Sequence, residues 1–433
     1  MRLSALCLCL LIGSSLIGET AQRPAHTAST VDSSSRFSEI RVTGSHRFQP
    51  AELVMATGLA VGDQADENTM KIGADRLASS GMFSDVVYSY VAAPQGTRVE
   101  YHVNDNPKLL PAHFDNFVWL SMSDLINELE KSEPLFRGEV PNAGEMYQRL
   151  ASDLKSILAK LNVSADVSVF PEASQQGGDI LGFVYKVEGV KIPIRKIDFP
   201  GASPEMSAVL EEVARGKLLG NDFSVNGLRV AGAHDLIPQY RMRGFLRAEF
   251  GTPTATLVDR ANGDVAVSLP VTEGISYELA GIQWSGNSVF SATELAKVVK
   301  APLGKPANQM QLEDDLGGIS KIYGTRGYMA AHLEPRFSFD DAAKKVMVAV
   351  DVREGDQYHM GDLRIEGLNE GSAQSLRKIW KLRAGDVYDT SYPGLFLAGA
   401  ARQVDMSTLK VQIMQQSKPD SKTVDVTLRF TPK

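Results

Sequence analysis

The sequence has little of what catalytic or metal-binding chains display. Its two cysteines, Cys7 and Cys9, both lie in an apolar N-terminal run. Beyond that run neither a disulfide nor a cysteine metal site is available, so packing alone must hold the chain. The seven histidines, His26, His46, His102, His113, His234, His332 and His359, include no pair at the i, i+4 spacing of a helical metal site. They read as surface or packing residues. No Gly-rich phosphate loop, Gly-x-Ser-x-Gly elbow or Cys-His arrangement occurs. Excess positive charge is missing too: 45 Lys and Arg are outnumbered by 52 Asp and Glu, for a net charge of −7. That balance excludes an extended phosphate-binding surface. After the first run, no stretch approaches the ~20 apolar residues of a membrane helix.

The remainder is ordinary for a folded chain. With 43% hydrophobic and 22% charged residues among 433, several cores can form. Residues 3–17 form an apolar run behind Met1-Arg2, the order of a secretory signal, which places a signal peptide at 1–21. Residues 22–36, rich in Ser, Thr and Ala, read as a flexible linker.

From Phe37 onward the chain repeats itself. Strand-then-Gly units end at Gly44, Gly201, Gly286 and Gly367, with gaps of 157, 85 and 81 residues, the first being two periods. A second marker, a helix-ending residue before an apolar strand start, falls at Gly81, Asn162, Gly244 and Gly327. Asn162 sits where a hidden unit is needed, and Asn follows Gly in tolerating the left-handed conformation that closes a helix. A third marker closes each unit: Val187-Glu188-Gly189, Val271-Thr272-Glu273-Gly274 and Val352-Arg353-Glu354-Gly355, with Val103-Asn104-Asp105 first. Three signals on one period predict five repeats, at 37–106, 107–190, 191–274, 275–355 and 356–433.

The fourth repeat shows the design openly. Ser291-Ala292-Thr293-Glu294 is a capping box, and Leu295, Val298 and Val299 make an apolar helix face after it. Leu312, Leu316, Ile319 and Tyr323 give a second helix over 309–323. Alternating strands over 329–339 and 345–352 then flank the polar hairpin 340–343. Pro50, Ser121 and Ser203-Pro204 open helices in other repeats. The fold class is therefore α+β: a tandem array of β-α-α-β-β domains, each a three-stranded sheet covered on one face by two helices.

At this level of detail the chain resembles a known family, the polypeptide-transport-associated or POTRA repeat. The resemblance rests on strand starts such as Ile40-Arg41-Val42-Thr43-Gly44 and Ile282-Gln283-Trp284-Ser285-Gly286-Asn287. It rests also on the Tyr-x-x-x-Gly-aromatic joints Tyr240 to Phe245 and Tyr323 to Tyr328, and on the Val-x-Glu-Gly endings. Repeats three and four are the most typical, repeat two is recognisable mainly by spacing, and repeat five lacks the helix-ending Gly near 405–409. The resemblance implies a periplasmic array that guides unfolded outer-membrane or secreted polypeptides to a β-barrel, as in Bam-type assembly proteins and two-partner secretion transporters. Inserting members carry a C-terminal barrel, whereas this sequence stops at Phe430-Thr431-Pro432-Lys433, so insertion by this chain alone is not expected.

The resemblance implies a periplasmic polypeptide-binding scaffold or chaperone-like module, with no enzyme activity and no cofactor. Its expected partners are unfolded clients or an outer-membrane barrel protein, with no nucleic acid and no integral membrane segment once the signal is removed. Binding would proceed by strand addition to an open sheet edge. The candidate edges follow each helix pair: 85–92, 165–170, 247–251, 331–339 and 410–415. Pro335 and Pro253 partly guard two of them. The favoured positions are Asp85, Val87, Ser89, Val91, Lys410, Gln412 and Met414. The alternative is a purely structural envelope spacer. Glu211-Glu212 and Asp314-Asp315 read as solvated helix faces, Asp340-Asp341 as a hairpin turn, Gly317-Gly318 as helix packing, and Trp119, Trp284 and Trp380 as core.

Overall fold

A computed structural model describes residues 35–174, 177–400 and 408–433. The signal peptide, most of the linker and part of the fifth repeat's helix end lie outside them. Ser35 and Arg36, grouped with the linker by composition, are already bonded: Ser35 O accepts from Ala65 N–H at 2.8 Å and Arg36 O from Thr97 N–H at 2.8 Å.

The described residues fall into two compact units, one up to Phe114 with Leu120–Glu188, the other Asp115–Trp119 with Gly189–Lys433. The first unit begins with β1 (Phe37–Thr43), α1 (Pro50–Thr57), α2 (Glu67–Ser79), β2 (Phe83–Ala93) and β3 (Gly96–Asp105). Pro50 opens α1 where the helix needs no donor, and the Asp66 carboxylate accepts from Thr69 N–H at the start of α2. The sheet order is β1-β3-β2, with β1 and β3 parallel and β2 antiparallel at the edge. β4 (Leu109–Phe114), α3 (Met122–Ser132), β5 (Glu139–Pro141), α4 (Met146–Lys160), β6 (Asp166–Ala173) and β7 (Ile180–Glu188) follow. Here the sheet has four strands, β5-β4-β7-β6. The expected three-stranded sheet is corrected for this repeat: the chain between its helices carries Val140, which is fully buried and lies in register with Leu110, so it adds a strand.

The second unit repeats the order three times. It contains β8 (Ile194–Asp198), α5 (Pro204–Lys217), α6 (Val225–Ala231), a π-helical turn over Gly232–Leu236, α7 (Ile237–Arg241), β9 (Glu249–Phe250), β10 (Thr254–Asp259), β11 (Asp264–Ser268) and β12 (Val271–Thr272). The wide turn precedes Pro238, which supplies no N–H to the ladder. Then come β13 (Glu278–Ser285), α8 (Ala292–Ala296), α9 (Gln309–Thr325), β14 (His332–Asp340) and β15 (Lys345–Arg353). The last elements are β16 (His359–Glu366), α10 (Glu370–Ile379), α11 (Tyr392–Ala400), β17 (Leu409–Lys418) and β18 (Thr423–Pro432). The sheets run β10-β11-β8, β13-β15-β14 and β16-β18-β17, with a two-stranded β12-β9 pair beside the first. The α+β class and its small, helix-covered sheets are those the sequence predicts.

Each sheet packs its alternate residues under its own helices. Val346, Val348, Val350 and Val352 of β15 meet Leu295, Leu312, Ile319 and Tyr323 in one cluster, and Val424, Val426, Leu428 and Phe430 of β18 build another with Leu376 and Phe396. The Ser291 capping box forms as predicted, with Glu294 N–H donating to Ser291 Oγ and Ser291 N–H donating to Glu294. α8 is shorter than expected, ending at Ala296. Asp315 is not on a solvated face. It is 4% exposed and accepts from Lys300 N–H, Ala301 N–H and the Gln311 amide, which anchors the chain leaving α8. Asp115 plays a similar part in the second unit, capping α6 through Ser224 Oγ and Asn226 N–H. Among the described residues no helix is long and apolar enough to cross a membrane, and no group of His, Cys, Asp and Glu side chains is placed to hold a metal ion.

Candidate functional site: the sheet edges

In the order first-third-second, the strand after each helix pair must be an edge, with one row of backbone groups outside its ladder. β2 is such a strand. Its pairing places Val87 opposite His102, Ser89 opposite Glu100 and Val91 opposite Arg98. Asp85, Val87, Ser89 and Val91 lie together on the solvent face, while Val86, Tyr88 and Tyr90 are half-buried on the other. Val87 is 53% and Val91 65% exposed, an apolar pair beside an open edge. β17 is the matching edge of the last sheet, with Lys410 opposite Thr431, Gln412 opposite Arg429 and Met414 opposite Thr427. Lys410 and Gln412 are exposed and Met414 is half-buried. The two groups belong to different units, so they are two separate sites.

β6 and β14 are edges as expected, and Pro335 sits in β14 opposite Val350. The third candidate needs correction. Of residues 247–251 only Glu249 and Phe250 are in a strand, and they pair with Thr272 and Val271 instead of the main sheet. The main-sheet edge is β10, entered after Pro253 with the register moved by one residue. Pro253 and Pro270 lack the donors that a continuous ladder needs there. Arg247 turns away from the edge altogether, towards Tyr277, Phe339 and Asp341.

Sequence reasoning also missed the opposite margin. The first strand of each sheet is an edge too, and the link between the two helices closes its beginning. Phe37 N–H donates to Asp63 O and accepts at its carbonyl from Gly62 N–H. Ile194 does the same with Asn221 and Gly220, Leu279 with Lys305 and Gly304, and Met360 with Asp386 and Gly385. Gly62, Gly220, Gly304 and Gly385, all with positive φ, keep the common period and were the available signal. In the second sheet β5 covers that margin instead.

The closing marker also gains a reason. In the fourth repeat Tyr323 Oη donates to Glu354 at 3.0 Å, and Glu354 accepts from Val289 N–H at 2.8 Å and from the Ser288 hydroxyl. One carboxylate thus ties the end of α9, the loop after β13 and the end of β15. Burial opposes ionisation of Glu354, but the bonds from Ser288, Val289 and Tyr323 together hold its carboxyl below the usual range. Burial, with Glu354 adding to it, pushes the Tyr323 phenol well up. Glu273 repeats the arrangement with Tyr240 Oη at 3.0 Å and Ser203 N–H at 2.8 Å. In the first repeat Asp105 takes Ser45 Oγ and His46 N–H.

A family model for POTRA, described as surface antigen variable number repeat, matches residues 277–355. Residues 277–355 are thus similar to a POTRA domain. They span β13 to β15, the Tyr323–Glu354 contact included. Beyond them, the outer membrane protein assembly factor BamA of Nitratidesulfovibrio vulgaris is 23% identical over 421 residues, covering 93% of this chain and 51% of that protein. A putative outer membrane protein assembly factor of Treponema pallidum is 24% identical over 236 residues, covering 52% of this chain and 28% of that protein. The chain therefore spans about half the length, or less, of these curated relatives. Among solved structures, POTRA3-5 of Haemophilus influenzae BamA aligns with 55% of this chain and 95% of its own, at 23% identity and a TM-score of 0.43. The resemblance to POTRA repeats and Bam-type assembly factors is borne out.

Proposed function

We propose that this chain is a periplasmic scaffold in outer-membrane protein assembly or secretion, organised as five POTRA-like repeats with the boundaries drawn from the sequence. It binds extended clients, or a partner barrel protein, by strand addition, and it has no enzymatic role. The POTRA domain and the assembly factors among its relatives support the setting. The observation that carries the mechanism is the pairing of an open ladder margin on β2 with the exposed Val87 and Val91. Backbone groups supply affinity for many sequences, and alternate side chains supply modest selectivity. β17, with Lys410, Gln412 and Met414, is the second proposed edge.

The test uses the full chain and a synthetic ten-residue peptide with alternating apolar and polar residues, as in a barrel strand. Photo-reactive side chains at Val87 and at Gln412 should crosslink it. Val87→Lys with Val91→Lys places charges beside the β2 edge, a device that natural sheets use against pairing, and should weaken capture there roughly tenfold, about 1.4 kcal/mol. Capture that ignores these charges would count against the β2 edge. No capture at either position would favour a structural spacer working through fixed surfaces.

A further inference from the structure

The second unit contains two joints built on one backbone plan. At the first, Tyr277 N–H donates to Gly244 O at 2.9 Å; at the second, Tyr358 N–H donates to Gly327 O at 2.9 Å. Ser276 Oγ donates to Arg243 O in one, and Gln357 Nε2 to Arg326 O in the other. Both glycines have positive φ, and a Cβ on either would meet the following Tyr carbonyl at 2.7 and 2.6 Å. Leu246 and Met329, each two residues past its glycine, plug the next core.

The side chains differ. Three residues past Gly244 stands Arg247. Its guanidinium lies 4.1 Å from the Phe339 ring centroid and donates to Tyr277 Oη at 3.3 Å and to Asp341 at 3.2 and 3.3 Å. Tyr277 Oη in turn donates to Asp341 at 2.7 Å. Three residues past Gly327 stands Ala330. The hairpins align through the bonds from Glu278 N–H to Lys344 O and from His359 N–H to Lys422 O. They align also through the pairs Asp340–Lys345 and Lys418–Thr423. That alignment puts Pro419 where Asp341 stands and Ser417 where Phe339 stands. Of the four groups only the tyrosine is kept, as Tyr358. The Gly327 joint has instead the bond from Thr390 N–H to Gly324 O at 3.2 Å and the exposed Lys422–Asp356 ion pair at 2.7 Å, neither of which stacks a cation on a ring.

We infer that the two joints differ in stiffness: Arg247, Asp341, Tyr277 and Phe339 pin the sheet over 278–353 to the segment before it, while the joint at Gly327 is a hinge. A cation lying over a ring and bonded through one nitrogen to both oxygens of a carboxylate fixes direction as well as distance, which backbone bonds and a single exposed ion pair do less well. The last sheet, with its β17 edge, then swings on a rigid base.

Spin labels in the full chain test this, with Cys7 and Cys9 replaced by Ser. Labels at Glu212→Cys and Asp314→Cys span the pinned joint, and labels at Asp314→Cys and Lys378→Cys span the other. The first distance distribution should be the narrower. Arg247→Ala should broaden it, with roughly a threefold rise in displaced orientations, since the ion pair it removes is half-exposed and screened by solvent. Asp341→Ala removes the anchor from the other side and serves if Arg247→Ala fails to fold. Broadening in either folded variant supports the pin. Equal widths at the two joints of the parent chain, or unchanged widths in both variants, overturn it.

Discussion

The second and fourth repeats close the same strand order by different means. In the fourth, the Glu354 carboxylate draws Tyr323, Ser288 and Val289 together, and the link between the helices meets just the start of β13, at Glu278 and Leu279. In the second, no such Tyr–Glu contact is formed among the described residues. Tyr185 Oη donates instead to Tyr147 O at 2.9 Å, the helix link becomes β5, and Arg149 grips Glu133 with two bonds beside it. One repeat is held by a polar clasp with short sequence motifs, the other by an added strand that has none. The lesson is that the period outlives the motif, because period reflects element lengths and motif reflects one local device.

Substitutions should separate the two. The largest effect is expected from Val140→Asp, which places a carboxylate in a fully buried site between β4 and the helices. It should cost about 3–4 kcal/mol and expose amides of the second repeat to hydrogen exchange while leaving the fourth protected. Glu354→Ala comes next. It strands the Tyr323 hydroxyl and the Val289 N–H, so about 2–3 kcal/mol should be lost from the fourth repeat alone, read by urea unfolding with exchange detection. Tyr323→Phe removes one bond from the same clasp and should cost about 1 kcal/mol.

The smallest effect sharpens the contrast through pH. Glu354 is held below the usual Glu value of 4.5, so its contribution is complete above that value and is lost as pH falls through the lower folded value. Asp153 in α4 shifts the other way: burial pushes its carboxyl above the usual 3.8, outweighing its bond from Ser132. Its charge opposes folding above the raised value, and that opposition is relieved as pH falls towards 3.8. Between about pH 5 and 3, exchange from the fourth repeat should speed up relative to the helix over 146–160. A parallel change in both would refute the assignment of the two carboxyls.

Much of this was legible because glycines and capping residues act locally. Gly244 and Gly327 mark joints by the conformation that their own backbone needs, Ser291 caps by its own side chain, and Asn162 closes α4 at φ 61° as the spacing required. The edge positions Asp85 to Val91 followed from period-two alternation. What stayed hidden depends on distant partners. Asp315 looks solvated until the chain leaving α8 is laid against it, and Asp341 looks like a turn residue until Arg247 arrives from 94 positions away. β5 is three residues long, too short to alternate visibly, and the kink at Gly251–Pro253 needs Pro270 opposite before it splits the strand. Trp119 is core as read, whereas Trp284 and Trp380 are only half-buried, with the Trp380 indole N–H buried and lacking an acceptor.

The central claim is that extended polypeptide adds to the open margins after the helix pairs. Hydrogen exchange on the full chain, with and without the alternating peptide, tests it most directly. Slowed exchange confined to Phe83–Ala93 and Leu409–Lys418 is the predicted result. Slowing on the helices, or no change on either strand at saturating peptide, would contradict it.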